Sequence, residues 1–97
     1  MTSLTIYDNT FLRQFEVEVD QGLAKIEYAL QDRKIFLTKL VVPSSETNPA
    51  FEETFIREVF EIIKEKNIRI MPTSPQIRQF IKKHKEFKDL LPIGIRL

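Results

Sequence analysis

The 97-residue chain contains no cysteine, which excludes disulfide frameworks, thiolate metal sites and cysteine nucleophiles at once. Glycine occurs only at 22 and 94 and proline at 43, 49, 72, 75 and 92, and no low-complexity stretch, repeat or linker divides the chain. No apolar run approaches the roughly 18 residues a membrane span needs, and the first residues show no signal peptide; the expected compartment is the cytoplasm. Neither sign of charge dominates: fifteen basic against fourteen acidic side chains leave +1. That balance argues against a strongly electrostatic nucleic-acid binder and against an acid-rich disordered chain.

What is present is enough for one modest core. The chain is 42% hydrophobic and 30% charged, and a domain of this size buries about 60–65% of the surface its unfolded chain exposes. A single domain over residues 1–97 is expected. The charge is uneven along it: residues 1–48 carry five basic and seven acidic groups, residues 49–97 ten and seven.

The first half has the period of strands. Phe11, Phe15, Val17 and Val19 interleave with Arg13, Gln14, Glu16 and Glu18. Asp20-Gln21-Gly22 is turn chemistry, with Gly22 free to take a positive φ. Ala24, Ile26, Tyr28 and Leu30 alternate as a hairpin partner, and Gln31-Asp32-Arg33 makes a second turn. Ile35 to Val42 is apolar enough for a central strand, and Pro43 ends its ladder.

The period then becomes helical. Phe51, Phe55, Ile56, Val59, Phe60, Ile62 and Ile63 form one apolar face, with Asn48 and Pro49 as cap and first residue and Asn67 as the stop. Ile68 to Met71 is a short strand ended by Pro72. Ser74 before Pro75 repeats the cap signal for a helix from Gln76 to about Lys83, and Ile93 to Leu97 could add a strand or an extended arm. The expected fold is α+β: a mixed, mostly antiparallel sheet with two helices. Ile35–Val42 and Ile68–Met71 should be parallel neighbours joined by the 51–66 helix. The expected core is Phe15, Val17, Ile26, Tyr28, Leu37, Phe55, Val59, Phe60, Ile63, Ile70 and Phe80.

Three runs together resemble the small single-domain members of the GNAT superfamily, the acyl-CoA N-acyltransferase fold: Ile35-Phe36-Leu37-Thr38-Lys39-Leu40-Val41-Val42-Pro43, an apolar helix, and Ile68-Arg69-Ile70-Met71-Pro72-Thr73-Ser74-Pro75. The Phe15 strand, Gly22, Ala24 to Tyr28 and His84 to Leu90 agree in order, so the resemblance runs from Asp8 to Leu91. It implies acetyl-CoA as donor and an amine as acceptor. Backbone groups of Leu40, Val41 and Val42 would meet the pantetheine, and amides from Asn48 to Phe51, Ala50 among them, would meet the pyrophosphate. The acceptor would lie near Tyr28 and the thioester near Ser74, the two candidate catalytic side chains.

The loop departs from the family pattern. It reads Ser44-Ser45-Glu46-Thr47-Asn48-Pro49-Ala50-Phe51-Glu52-Glu53, so the family's two loop glycines fall on Asn48 and Ala50, and Pro49 offers no N–H. Glu46, Glu52 and Glu53 oppose a polyanion, with no Lys or Arg between Pro43 and Ile56. At ~6 Å and an effective dielectric of ~20 each like-charge pair costs about 2–3 kcal/mol before screening. Ser74 stands where relatives often carry cysteine, and the one histidine, His84, is expected to be exposed in a basic segment.

The resulting expectation is an N-acetyltransferase-like protein with weak or lost CoA binding. The alternative is a catalytically silent domain of the same fold that binds a protein partner or a second copy. Nucleic acid has only Arg78, Lys82, Lys83, Lys85 and Lys88 behind it, and no metal site or membrane contact is expected.

Overall fold

The computed structural model describes residues 4–19, 22–43, 49–92 and 94–95. Five strands and two α-helices follow in the order β1 (Tyr7–Asn9), β2 (Gln14–Val19), β3 (Gly22–Gln31), β4 (Lys34–Val41), α1 (Pro49–Glu65), β5 (Arg69–Pro72), α2 (Pro75–Lys83). A 3₁₀ segment, Lys85–Leu90, comes after α2. The strands lie in one sheet in chain order, antiparallel from β1 to β4 and parallel between β4 and β5. The α+β reading and the parallel pair joined by a helix stand.

Two expectations need correction. The meander has four antiparallel strands, because β1 pairs with β2 from Tyr7↔Glu16 to Asn9↔Gln14. Phe11 belongs to the turn between them and is 91% exposed. That turn is closed by the Leu12 N–H donating to Asn9 Oδ1 at 3.0 Å, which the apolar alternation could not reveal. The second correction is the 3₁₀ segment, whose Phe87 is buried. Pro72 is the last residue of β5, opposite Leu37, so the strand ends at it as expected. An edge strand tolerates a residue without an N–H.

One face of the sheet and the helices enclose the core. Phe15, Val17, Ile26, Tyr28, Leu37, Phe55, Val59, Phe60, Ile63, Ile70 and Phe80 are all buried, as are Ile35, Leu40, Ile56, Ile77 and Ile81. Phe60 centres the helix layer, its ring 5.5 Å from Phe80 and 5.2 Å from Phe87 in edge-to-face arrangements. Phe51, at the start of α1, is half-buried. Asn67 ends α1 with φ +60°, a left-handed stop that asparagine takes more readily than most residues.

Gly22 serves by its lack of a side chain. A Cβ there would stand 3.0 Å from Pro43 Cγ, so strand β3 starts hard against the residue that leaves β4. The turn Asp20-Gln21 and the cap Asn48 lie outside the described residues. So do Ile93, Arg96 and Leu97 of the tail, while Gly94 and Ile95 are not in a strand.

Candidate functional site

The site begins with a mismatch between β4 and β5. Their parallel pairing runs from Lys34↔Arg69 to Leu37↔Pro72 and stops, while β4 continues to Val41. The stop is held in place at a single atom. The Leu37 carbonyl oxygen accepts the N–H of Thr73 at 3.1 Å, the N–H of Ser74 at 3.0 Å and the hydroxyl of Thr73 at 3.0 Å. The chain then turns into α2, and the rest of β4 has lost its neighbour on that side.

A bulge decides which groups face the opening. Between β3 and β4 the register jumps from Glu27↔Lys39 to Tyr28↔Leu37, so β4 carries the extra residue, Thr38. Buried positions along β4 therefore fall at Ile35, Leu37 and then Leu40. Tyr28 donates its N–H to the carbonyl oxygen of Arg13, the residue just before β2, which turns Lys25 and Glu27 toward β4. Val41, the partner of Lys25, is thus turned to β3, and Leu40 presents its backbone to the side β5 has left. Val42 lies just past the end of the strand.

Helix α1 is the next element in the chain after β4. Pro49, its first residue, supplies no N–H. Between this end of α1 and α2 runs a groove of about 270 Å³, floored by Ile56 and Phe80 and rimmed by Glu52, Glu53, Gln76, Gln79 and Lys83. The rim sets two carboxylates against one ammonium. Ala50 and Phe51 lie on the same turn, and Asn48 falls outside the described residues.

The two candidate catalytic side chains each hold a hydrogen-bond partner. Ser74 occupies the cap position of α2 with its backbone extended, but its hydroxyl does not cap the helix. It is fully buried and donates to Gln76 Oε1 at 2.9 Å. Tyr28 packs against Phe15 with ring centroids 5.0 Å apart, and its hydroxyl donates to Asp8 Oδ1 at 2.6 Å. Burial, then the hydrogen bond and the negative charge of Asp8, push its pKa up to about 12. Tyr28 is therefore a neutral hydroxyl at any physiological pH. Asp8 also lies 3.9 Å from Lys66 Nζ, at the far end of α1 from Ala50 and Phe51.

His84 is not the exposed residue its basic neighbours suggested. Its ring lies on Phe80, centroids 4.3 Å apart, and its Nε2 is buried 3.9 Å from Glu53 Oε2. The spacing from Phe80, four residues on a helix, was the available signal. Arg78 and Lys82 are exposed on α2, and Lys85 and Lys88 on the 3₁₀ segment. Among the described residues no group of three or more acids and histidines is placed to hold a metal ion, and no helix is long and apolar enough to cross a membrane.

Comparison with known proteins agrees with this fold. The NMR structure of a GCN5-like N-acetyltransferase candidate from Staphylococcus aureus superposes with a TM-score of 0.66 at 19% identity, over 99% of this chain and 94% of that one. At that identity the likeness concerns the fold. A search of curated proteins finds no match. The family model for the GCN5-related N-acetyltransferases matches residues 14–90, from the first residue of β2 to the last of the 3₁₀ segment. The chain belongs to the GCN5-related N-acetyltransferase family.

Proposed function

We propose that this chain is an acetyl-CoA-dependent N-acetyltransferase-like domain with a weakened hold on the phosphates of its cofactor. The observation that carries the proposal is the opening beside Leu40, where β4 outlasts β5 and leads to the start of α1. A strand edge offers donors and acceptors that suit the amide-bearing pantetheine arm. Leu40, with Val41 and Val42 around it, would hold that arm. The α1 turn carrying Ala50 and Phe51, with Asn48 before it, would face the phosphates. Acetyl-CoA, when bound, supplies an acyl group already activated as a thioester, so a free amine can attack without a protein nucleophile.

The phosphate end fits less well. Glu52 and Glu53 rim the groove with Lys83 as the opposing cation. At ~6 Å each carboxylate costs a phosphate charge between about 0.7 kcal/mol in water and about 3 kcal/mol at an effective dielectric of 20. In this reading Ser74 and Tyr28 border the acyl and acceptor ends as positioning residues. Tyr28 holds β1 through Asp8, and Ser74 ties α2 to β4 through its backbone.

The same two glutamates favour the second reading, a catalytically silent domain that binds a protein partner or a second copy. Calorimetry with acetyl-CoA at low and moderate salt separates the two. Weak binding by the native chain, tightened about tenfold in the Glu52→Gln, Glu53→Lys double variant, is the expected result. Micromolar binding by the native chain would remove the weakened-phosphate reading and leave an ordinary acyltransferase. No binding by either protein would favour the silent domain.

A further inference from the structure

We propose that His84 and Glu53 form a proton-controlled latch between the end of α2 and α1, at the edge of the groove between the two helices, one that sets how strongly the groove takes an anion. The inference rests on the cofactor reading above and names the regulation of that same site. It starts from a side chain held in place without a polar partner. The His84 ring is fixed by packing on Phe80, centroids 4.3 Å apart and planes 33° from parallel. Its Nε2 is buried and makes no hydrogen bond among the described residues. The nearest carboxylate oxygen, Glu53 Oε2, stands 3.9 Å away, too far for a hydrogen bond and close enough for an ion pair.

The consequence depends on the proton. With the imidazole neutral, Glu53 keeps an uncompensated negative charge on the groove rim, near the first turn of α1. With the imidazole protonated, Glu53 gains a cation at contact range and the rim loses a net negative charge. The other charged groups around this corner are carboxylates, amines and one guanidinium. On α1 these are Glu52 and Arg57, on α2 Lys83, and on the 3₁₀ segment Lys85 and Glu86. Arg57 is already engaged, 3.6 Å from Glu86 and over the rings of Phe80 and Phe87. His84 is the only histidine in the chain, and imidazole is the side chain whose ordinary titration falls between pH 5 and 8. The latch would bind anions better as the pH falls.

The test compares acetyl-CoA affinity at pH 8 and pH 5.5 for the native chain, His84→Gln and Glu53→Gln. The cofactor's own phosphate titrates alike for all three, so the informative quantity is the ratio of native to variant affinity. The native to His84→Gln ratio should rise about threefold to tenfold on going to pH 5.5. Glu53→Gln, which leaves the His84–Phe80 packing in place, should bind more tightly than the native chain at both pH values, because it removes one rim charge whatever the state of the imidazole. A native to His84→Gln ratio that does not move with pH would overturn the latch while leaving the cofactor reading intact. If no protein binds acetyl-CoA at either pH, the cofactor reading fails and takes the control of affinity with it. Ring resonances of the single histidine then decide separately whether the two side chains are coupled. Native and Glu53→Gln titration curves should differ, and superimposed curves would overturn the pair itself.

Discussion

Ser74 is tied to Leu37 by a backbone hydrogen bond of 3.0 Å, and the hydroxyl of the same residue points away from that bond to Gln76. Its anchoring and its side-chain chemistry are therefore separable. Ser74→Ala should lower the unfolding free energy by only about 0.5–1.5 kcal/mol, the net worth of one hydrogen bond. Urea denaturation measures it. A loss above about 3 kcal/mol would mean that the hydroxyl, not the peptide, holds α2 on β4.

Tyr28 should reveal itself at alkaline pH. Its folded pKa, raised from 10.0 to about 12, exceeds the unfolded value. The protonated phenol thus contributes stability that is complete below about pH 10 and lost as pH rises toward 12. That difference between folded and unfolded chain corresponds to about 2–3 kcal/mol. Ultraviolet titration of tyrosinate should show one late phenol that disappears in Tyr28→Phe. Asp8→Asn should bring it down only part of the way, since burial is the largest cause and remains.

Two phenylalanines should behave oppositely. Phe60 is fully buried between Phe80 and Phe87, and truncation to alanine should cost about 3–5 kcal/mol. Phe11→Ala, at a position 91% exposed, should change stability by no more than about 0.5 kcal/mol. Chemical denaturation of both variants checks the assignment of Phe11 to a turn.

Gly22→Ala tests the approach of β3 to Pro43. The added Cβ would meet Pro43 Cγ at 3.0 Å and Cβ at 3.3 Å, atoms of a stiff ring. A destabilisation of about 1–3 kcal/mol is expected from overpacking. Because Pro43 begins the connection to α1, acetyl-CoA affinity should fall in the same variant. A neutral substitution would show that the loop after Pro43 yields easily.

The elements and the core were legible where one pattern governed them. The 3.6-residue period over 51–63 and the alternation in 15–19 and 24–28 identify buried faces, since a side chain's direction follows from its place in a helix or strand. Proline and asparagine at the ends of α1 mark its limits because their backbone preferences are local. Family membership was legible for the same reason: it rests on the order of such segments.

The site was legible only in part. That β4 outlasts β5 depends on where Thr73 and Ser74 meet Leu37, a contact across 36 residues. Which of Leu40 and Val41 faces the opening depends on a bulge at Thr38 that no alternation rule announces. Tyr28 read correctly as core, yet its partner Asp8 comes from β1, a strand of three residues too short to show a period. His84 read as one more exposed residue in a basic run, because charge along a chain says nothing of what a neighbouring helix places beside it. Local sequence determined the strands, the helices and the faces they bury. The opening on β4, the commitment of Tyr28 and Ser74 to other partners and the meeting of His84 with Glu53 were decided by tertiary structure, since each joins groups far apart in the chain whose contact exists only after packing.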